Sequence, residues 1–165
     1  MDTSGEAFEV FYTRERDAIG RALVVTLRDE TLAADALDEA LARAYQRWGE
    51  VSGYANAGGW VYRVALNWAR SSRRRLARPR RPLRPTGFDV DEPWFDADIE
   101  RAMRSLSVDH RAVVVCRYYI GYSEAETARA LGLRVGTVKS RLARALAALR
   151  DSAQLGRSIE AEGAR

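Results

Sequence analysis

The chain has 165 residues, 47% hydrophobic and 30% charged, a balance that excludes an intrinsically disordered polypeptide and allows one ordinary domain or two small ones. The net charge is only +4, and one cysteine (Cys116) with one histidine (His110) excludes an internal disulfide and a self-contained zinc site. No apolar run is long enough to cross a bilayer and the N-terminus lacks a basic-then-apolar signal, so a cytoplasmic protein without metal or cofactor is expected.

Apolar residues recur at spacings of three and four, alanine and leucine are abundant, and strand-like alternation is missing. The expected fold class is all-α, with helices over 6–28, 31–48, 57–77, 96–106, 109–119, 124–131 and 136–150. All four prolines fall between Pro79 and Pro93, where they block helix propagation. The expected organisation is therefore two small helical domains, 1–78 and 96–155, joined by a flexible Pro/Arg-rich linker over 79–95 and followed by a disordered tail over 156–165.

Charge is distributed unevenly along the chain. Asp29 to Glu50 holds six carboxylates, whereas Val51 to Phe88 holds nine arginines and no acid. Such separation suggests two partners, one of them polyanionic.

On the helix predicted over 31–48, Leu37, Leu41, Ala44 and Trp48 share the inward face. Asp35, Asp38, Glu39 and Gln46 gather on another, with Arg43 at its edge. This acidic stripe is either a solvated surface or a docking face for a basic protein, and charge alone does not decide between them.

Asn56 is placed to cap the helix predicted over 57–77. Val61, Val64, Ala65 and Trp68 are expected to face inward, while Arg63, Asn67, Arg70 and Arg74 fall in a narrow arc with Trp60 at its edge. Arginines, an amide and an aromatic are the groups needed to neutralise phosphates, hydrogen-bond a base edge and stack on an unpaired base. A solvated arginine face, with Trp60 serving only as a core anchor, is the simpler alternative.

The segment from Tyr122 to Leu142 carries the strongest local signal. Ser123 and Glu126 form a capping box, and Gly132 supplies a left-handed helix stop. A second helix follows, with Val138, Leu142, Leu146 and Leu149 inward. Thr137, Ser140, Arg141 and Arg144 cluster opposite, flanked by Lys139 and Ala143. A short helix, a tight turn and a second helix with a basic outer face suit a DNA major groove.

The run Gly136-Thr137-Val138-Lys139-Ser140-Arg141-Leu142-Ala143-Arg144-Ala145 resembles the recognition helix of region 4 in sigma-70-family proteins. Trp60 to Asn67, followed by Arg73-Arg74-Arg75, resembles regions 2.3 and 2.4, and Ala33 to Tyr45 resembles region 2.2. Two domains in this order without an intervening region 3 are similar to the extracytoplasmic-function group. The resemblance covers roughly residues 6–152.

It implies an alternative sigma factor that directs RNA polymerase to promoters and helps melt the −10 element. The partners so implied are core polymerase and promoter DNA, with an anti-sigma factor as a further candidate. By position, the acidic helix (Asp35, Asp38, Glu39, Arg43) would dock on the polymerase clamp helices. Asn67 would capture a flipped −10 base, with Trp60, Arg63, Arg70 and Arg74 alongside. Ser140, Ala143 and Arg144 would face −35 bases, Lys139 the DNA backbone, and Thr137 and Arg141 would complete the face.

Ala34 and Asp38 depart from the Glu and Gln frequent in the family, Ser71 from a frequent Asp, and Ala143 from a larger side chain. Ala143 can offer only an apolar contact, such as to a thymine methyl. A stand-alone helix-turn-helix regulator is the alternative, but it gives the acidic and arginine-rich helices no task. A nucleic-acid-processing enzyme would need carboxylates or histidines beside the basic face, and residues 51–88 contain none. No enzymatic activity is expected.

Overall fold

The computed structural model describes the backbone of residues 3–75 and 97–163 and the side chains of residues 8–72 and 99–152. The linker expected over 79–95, with its prolines, lies outside the described residues. Eight α-helices and one π-helical turn account for the regular structure, and no strand occurs among the described residues. The helices fall into two compact units, the first containing α1–α4 and the second, in the main, α5–α8.

In the first unit α1 spans Thr3–Leu27, α2 Glu30–Gln46, α3 Trp48–Val51 and α4 Ala57–Arg75. Asp29 caps α2 by accepting from the Leu32 amide at 2.9 Å. Ala33, Ala36, Ala40 and Ala44 are fully buried along α2, and such small residues let neighbouring helices approach closely. Leu37, Leu41, Ala44 and Trp48 all face the core as expected. Phe11, Leu23 and Leu27 of α1 and Val61, Tyr62, Ala65 and Leu66 of α4 complete it.

Two details of this first unit differ from the sequence expectation. The helix expected over 31–48 stops at Gln46, because Arg47 leaves helical geometry at φ −117° and ψ 24°. The break turns Trp48 onto Phe8 and Phe11, with ring centroids 5.2 and 4.9 Å away. The second difference concerns α4, where Val64 and Trp68 are only half-buried and Tyr62, Leu66 and Ala69 are buried instead. This helix packs against both α1 and α2, which widens its buried sector and shifts its centre. Tyr62 is accommodated there because its hydroxyl meets Thr26. The Thr26 hydroxyl is already donated to the Ala22 carbonyl at 2.7 Å, so Tyr62 is the donor.

In the second unit α5 spans Ala97–Ser105, α6 Val108–Val114, α7 Glu124–Leu131 and α8 Val135–Gly163. Ser107 caps α6 by accepting from the His110 amide. The helix expected to run to 119 widens into a π-helical turn over Val115–Tyr119. Its amide bonds reach back five and six residues, from Ile120 to Val115 and from Tyr122 to Cys116, both at 2.9 Å. Arg117 donates to the Tyr122 carbonyl and secures that exit.

Arg111 is buried, with its guanidinium donating to the Met103 and Leu106 carbonyls at the C-terminal end of α5. A cation there satisfies carbonyls the helix leaves unpaired and complements its dipole. On α8, Val138, Leu142 and Ala145 are buried, while Leu146 and Leu149 are half-buried. This helix also continues to Gly163, through residues expected to form a disordered tail. No proline follows Pro93, and the segment includes the good helix formers Glu160, Ala161 and Glu162.

Candidate nucleic-acid and polymerase-docking surfaces

The helix-turn-helix is built from local bonds. Glu126 accepts from the Ser123 amide at 2.7 Å, while the Ser123 hydroxyl accepts from the Glu126 amide at 3.2 Å. This reciprocal pair starts α7. At its other end Gly132 adopts φ +66°, the Leu133 amide bonds Ala128 at 2.8 Å, and the Gly132 amide bonds Arg129 at 3.3 Å. That is a Schellman stop, and the positive φ is why glycine stands there.

From this turn α8 presents Lys139, Ser140, Ala143 and Arg144 to solvent, with Thr137 half-buried beneath them. The Ser140 hydroxyl donates to the Thr137 carbonyl at 3.1 Å and is turned back towards its own helix. Lys139 lies 3.6 Å from Glu124 of α7. Arg141 is drawn to α6 by a 3.2 Å ion pair with Asp109, which its place in the sequence did not reveal.

On α4 the cap expected of Asn56 forms, its side-chain oxygen accepting from the Gly59 amide at 2.7 Å. Asn67 is exposed, so it is not a buried structural amide, and Arg70 reaches its oxygen at 3.4 Å. Arg63 and Arg70 are half-buried, and Trp60 is half-buried with its ring 6.3 Å from that of Tyr54. Arg74 lies on α4, but its side chain is outside the described residues.

The loop before α4 holds a group that sequence reasoning missed. Glu50 accepts from Arg47 at 2.7 and 3.2 Å and from the Tyr54 hydroxyl. These bonds, Tyr54 first and Arg47 second, hold the Glu50 carboxyl below its ordinary range. The same contact raises the Tyr54 hydroxyl, and Glu50 raises Arg47. The spacing of Arg47, Glu50 and Tyr54 at three and four residues was the available signal.

On α2, Asp35 and Asp38 are exposed, while Glu39 is half-buried and paired with Arg43 at 2.8 Å. Tyr45 stands exposed on the same helix, its ring edge-on to Phe8 at 5.1 Å. The surface therefore combines carboxylates with an aromatic.

Among the described residues no group of His, Cys, Asp or Glu is arranged to hold a metal, and no helix is long and apolar enough to cross a membrane. Cys116 is buried, and burial pushes its thiol up to about 12.

Residues 96–149 match the family model described as Sigma-70, region 4. The chain is 36% identical over 156 residues to the RNA polymerase sigma-E factor of Streptomyces coelicolor, covering 87% of this chain and 84% of that protein. It is 35% identical over 147 residues to the ECF RNA polymerase sigma factor SigM of Mycobacterium tuberculosis, covering 87% and 75%. Among solved structures, the fold is similar to the sigma factor RpoE crystallised with the anti-sigma factor NepR from Bartonella quintana. That match has a TM-score of 0.70 at 19% identity and covers 90% of this chain and 98% of that one.

Proposed function

The chain belongs to the extracytoplasmic-function sigma factors of the sigma-70 family, and from that premise we propose how its two helical units divide the work of an alternative sigma factor. The second unit grips the −35 duplex. Lys139 neutralises a backbone phosphate, while Ser140, Ala143 and Arg144 face base edges and Thr137 supports them. Arg141, through its pair with Asp109, serves chiefly to fix α6 against the recognition helix.

The first unit does two things. The α2 surface of Asp35, Asp38, Glu39 and Arg43 docks core polymerase. The outer face of α4 takes the melted −10 strand: Arg63, Arg70 and Arg74 meet phosphates, Trp60 stacks on an unpaired base and Asn67 reads its edge. The segment over 79–95 lets both promoter elements be reached at once. The protein acts in the cytoplasm, where polymerase and chromosome are. Nothing in this sequence of events requires a nucleophile or a cofactor.

The observation that carries the reading is the helix-turn-helix itself, capped at Ser123, stopped at Gly132 and leading into an exposed Lys139–Arg144 face. It is tested by crossing protein substitutions with base substitutions in the assembled holoenzyme. Arg144→Ala should weaken promoter binding roughly ten-fold, as expected for a lost base contact of about 1–3 kcal/mol. That loss should persist on a promoter already melted at −10. Asn67→Ala should leave −35 binding intact and couple to a single −10 base of the non-template strand. Coupling of Asn67 to no base would remove the capture role.

A further inference from the structure

Lys139, Arg141 and Arg144 lie in the first three turns of α8, and each is held differently. Arg141 is taken by Asp109 of α6 at 3.2 Å. Arg144 is exposed, and among the described residues no carboxylate is paired with it. Lys139 is exposed too, but its ammonium lies 3.6 Å from the carboxylate of the half-buried Glu124 on α7. A negative charge thus stands beside the one side chain of this face assigned to a phosphate.

The fold does not need that carboxylate for its cap. The first turn of α7 carries both Glu124 and Glu126, and it is Glu126 that accepts from the Ser123 amide at 2.7 Å. Nor does the pair with Lys139 add much to stability, because water screens side chains that are 37% and 63% exposed. At 3.6 Å it is looser than a direct hydrogen bond and easily exchanged. The identity of the cation matters as well, since Lys139 is the only lysine among 27 cationic residues. An ammonium is a compact point charge on a flexible stem, and it swings from a carboxylate to a phosphate more freely than a bidentate guanidinium.

We infer that Glu124 is a specificity-determining residue, holding Lys139 back from DNA in which no phosphate stands in register. The inference rests on the −35 reading given above. When Ser140, Ala143 and Arg144 meet their bases, the duplex is fixed and a phosphate stays beside Lys139, which exchanges its carboxylate for it. On any other sequence the duplex shifts along the helix, no phosphate persists there, and Lys139 stays with Glu124. One phosphate contact is then withheld from every wrong sequence.

The test uses holoenzyme assembled from the full chain, on promoter fragments that differ only in an intact or a scrambled −35 element. Glu124→Gln keeps the shape of the side chain and removes its charge. Binding of the intact fragment should be unchanged, and binding of the scrambled one should tighten about three-fold, the scale of an exposed ion pair. Salt titration gives a second readout. On the scrambled fragment alone, Glu124→Gln should steepen the log–log slope by about 0.9, the mark of one further neutralised phosphate. In a Lys139→Ala background the same substitution should change neither fragment's binding, since Glu124 acts through the lysine. Equal tightening on both fragments, or an effect that persists without Lys139, makes Glu124 a general repulsion of DNA and overturns the inference. Unchanged or weaker binding of the scrambled fragment by Glu124→Gln overturns it too, and all these results leave the −35 reading intact. Wild-type binding of the intact fragment by Lys139→Ala overturns the phosphate contact itself, and the inference with it.

Discussion

Thr127 is wholly buried on α7, and its hydroxyl oxygen meets no hydrogen-bond partner. Burying a hydroxyl without compensation is unfavourable, whereas an apolar group of the same shape is not. Thr127→Val should therefore stabilise the second unit by about 1 kcal/mol, seen as a higher denaturation midpoint. A lower midpoint would mean that the hydroxyl is engaged. Cys116 carries a different signature. Its thiol is raised from 9.0 to about 12 by burial, so the folded protein holds this proton where the unfolded chain has released it. The thiol's contribution to stability is thus fully present below pH 9.0 and lost as pH climbs towards about 12. Compared with Cys116→Val, the wild type should lose stability selectively across that window. At pH 8, thiol alkylation should follow unfolding.

At the scale of elements, the two ends of α7 show how a recognition helix is aimed. The capping box and the Schellman stop are made from bonds between Ser123 and Leu133, so the turn is specified by residues close in the chain. Gly132→Ala places a side chain at φ +66° and should cost about 1 kcal/mol in the thermal melt of the second unit. An unchanged melting temperature would show that the turn can shift without penalty. For α2 the expectation runs the other way. Its carboxylates lie at the surface, and the Glu39–Arg43 pair is exposed enough to contribute little. Replacing Asp35, Asp38 and Glu39 together by lysine should abolish association with core polymerase and leave helical circular dichroism and melting nearly unchanged. Normal association by the triple variant would reduce the stripe to a solvated surface.

For the whole molecule, the proposed division of work gives each of the two compact units only part of the promoter contact. Specific binding then requires both contacts to be made on one promoter. The isolated protein should bind promoter DNA weakly and with steep salt dependence, while the holoenzyme binds specifically. Fluorescence anisotropy at two salt concentrations, with and without core, measures this. Tight sequence-specific binding by the free chain would favour a stand-alone regulator.

The sequence by itself determined the all-α class, the Asn56 and Ser123 caps, the Gly132 stop and the exposure of Lys139, Ser140, Ala143 and Arg144 on α8. Each depends on residues within one or two turns of each other, where spacing dictates contact. Tertiary structure alone decided which face of α4 is buried, because that depends on two partner helices at once. It also decided that Arg47 breaks the helix to seat Trp48, that Arg111 is buried to close the end of α5, and that Arg141 pairs with Asp109. An arginine reads the same in a sequence whether it meets a phosphate, a carbonyl or a carboxylate. Its partner is set by chain segments that only folding brings together.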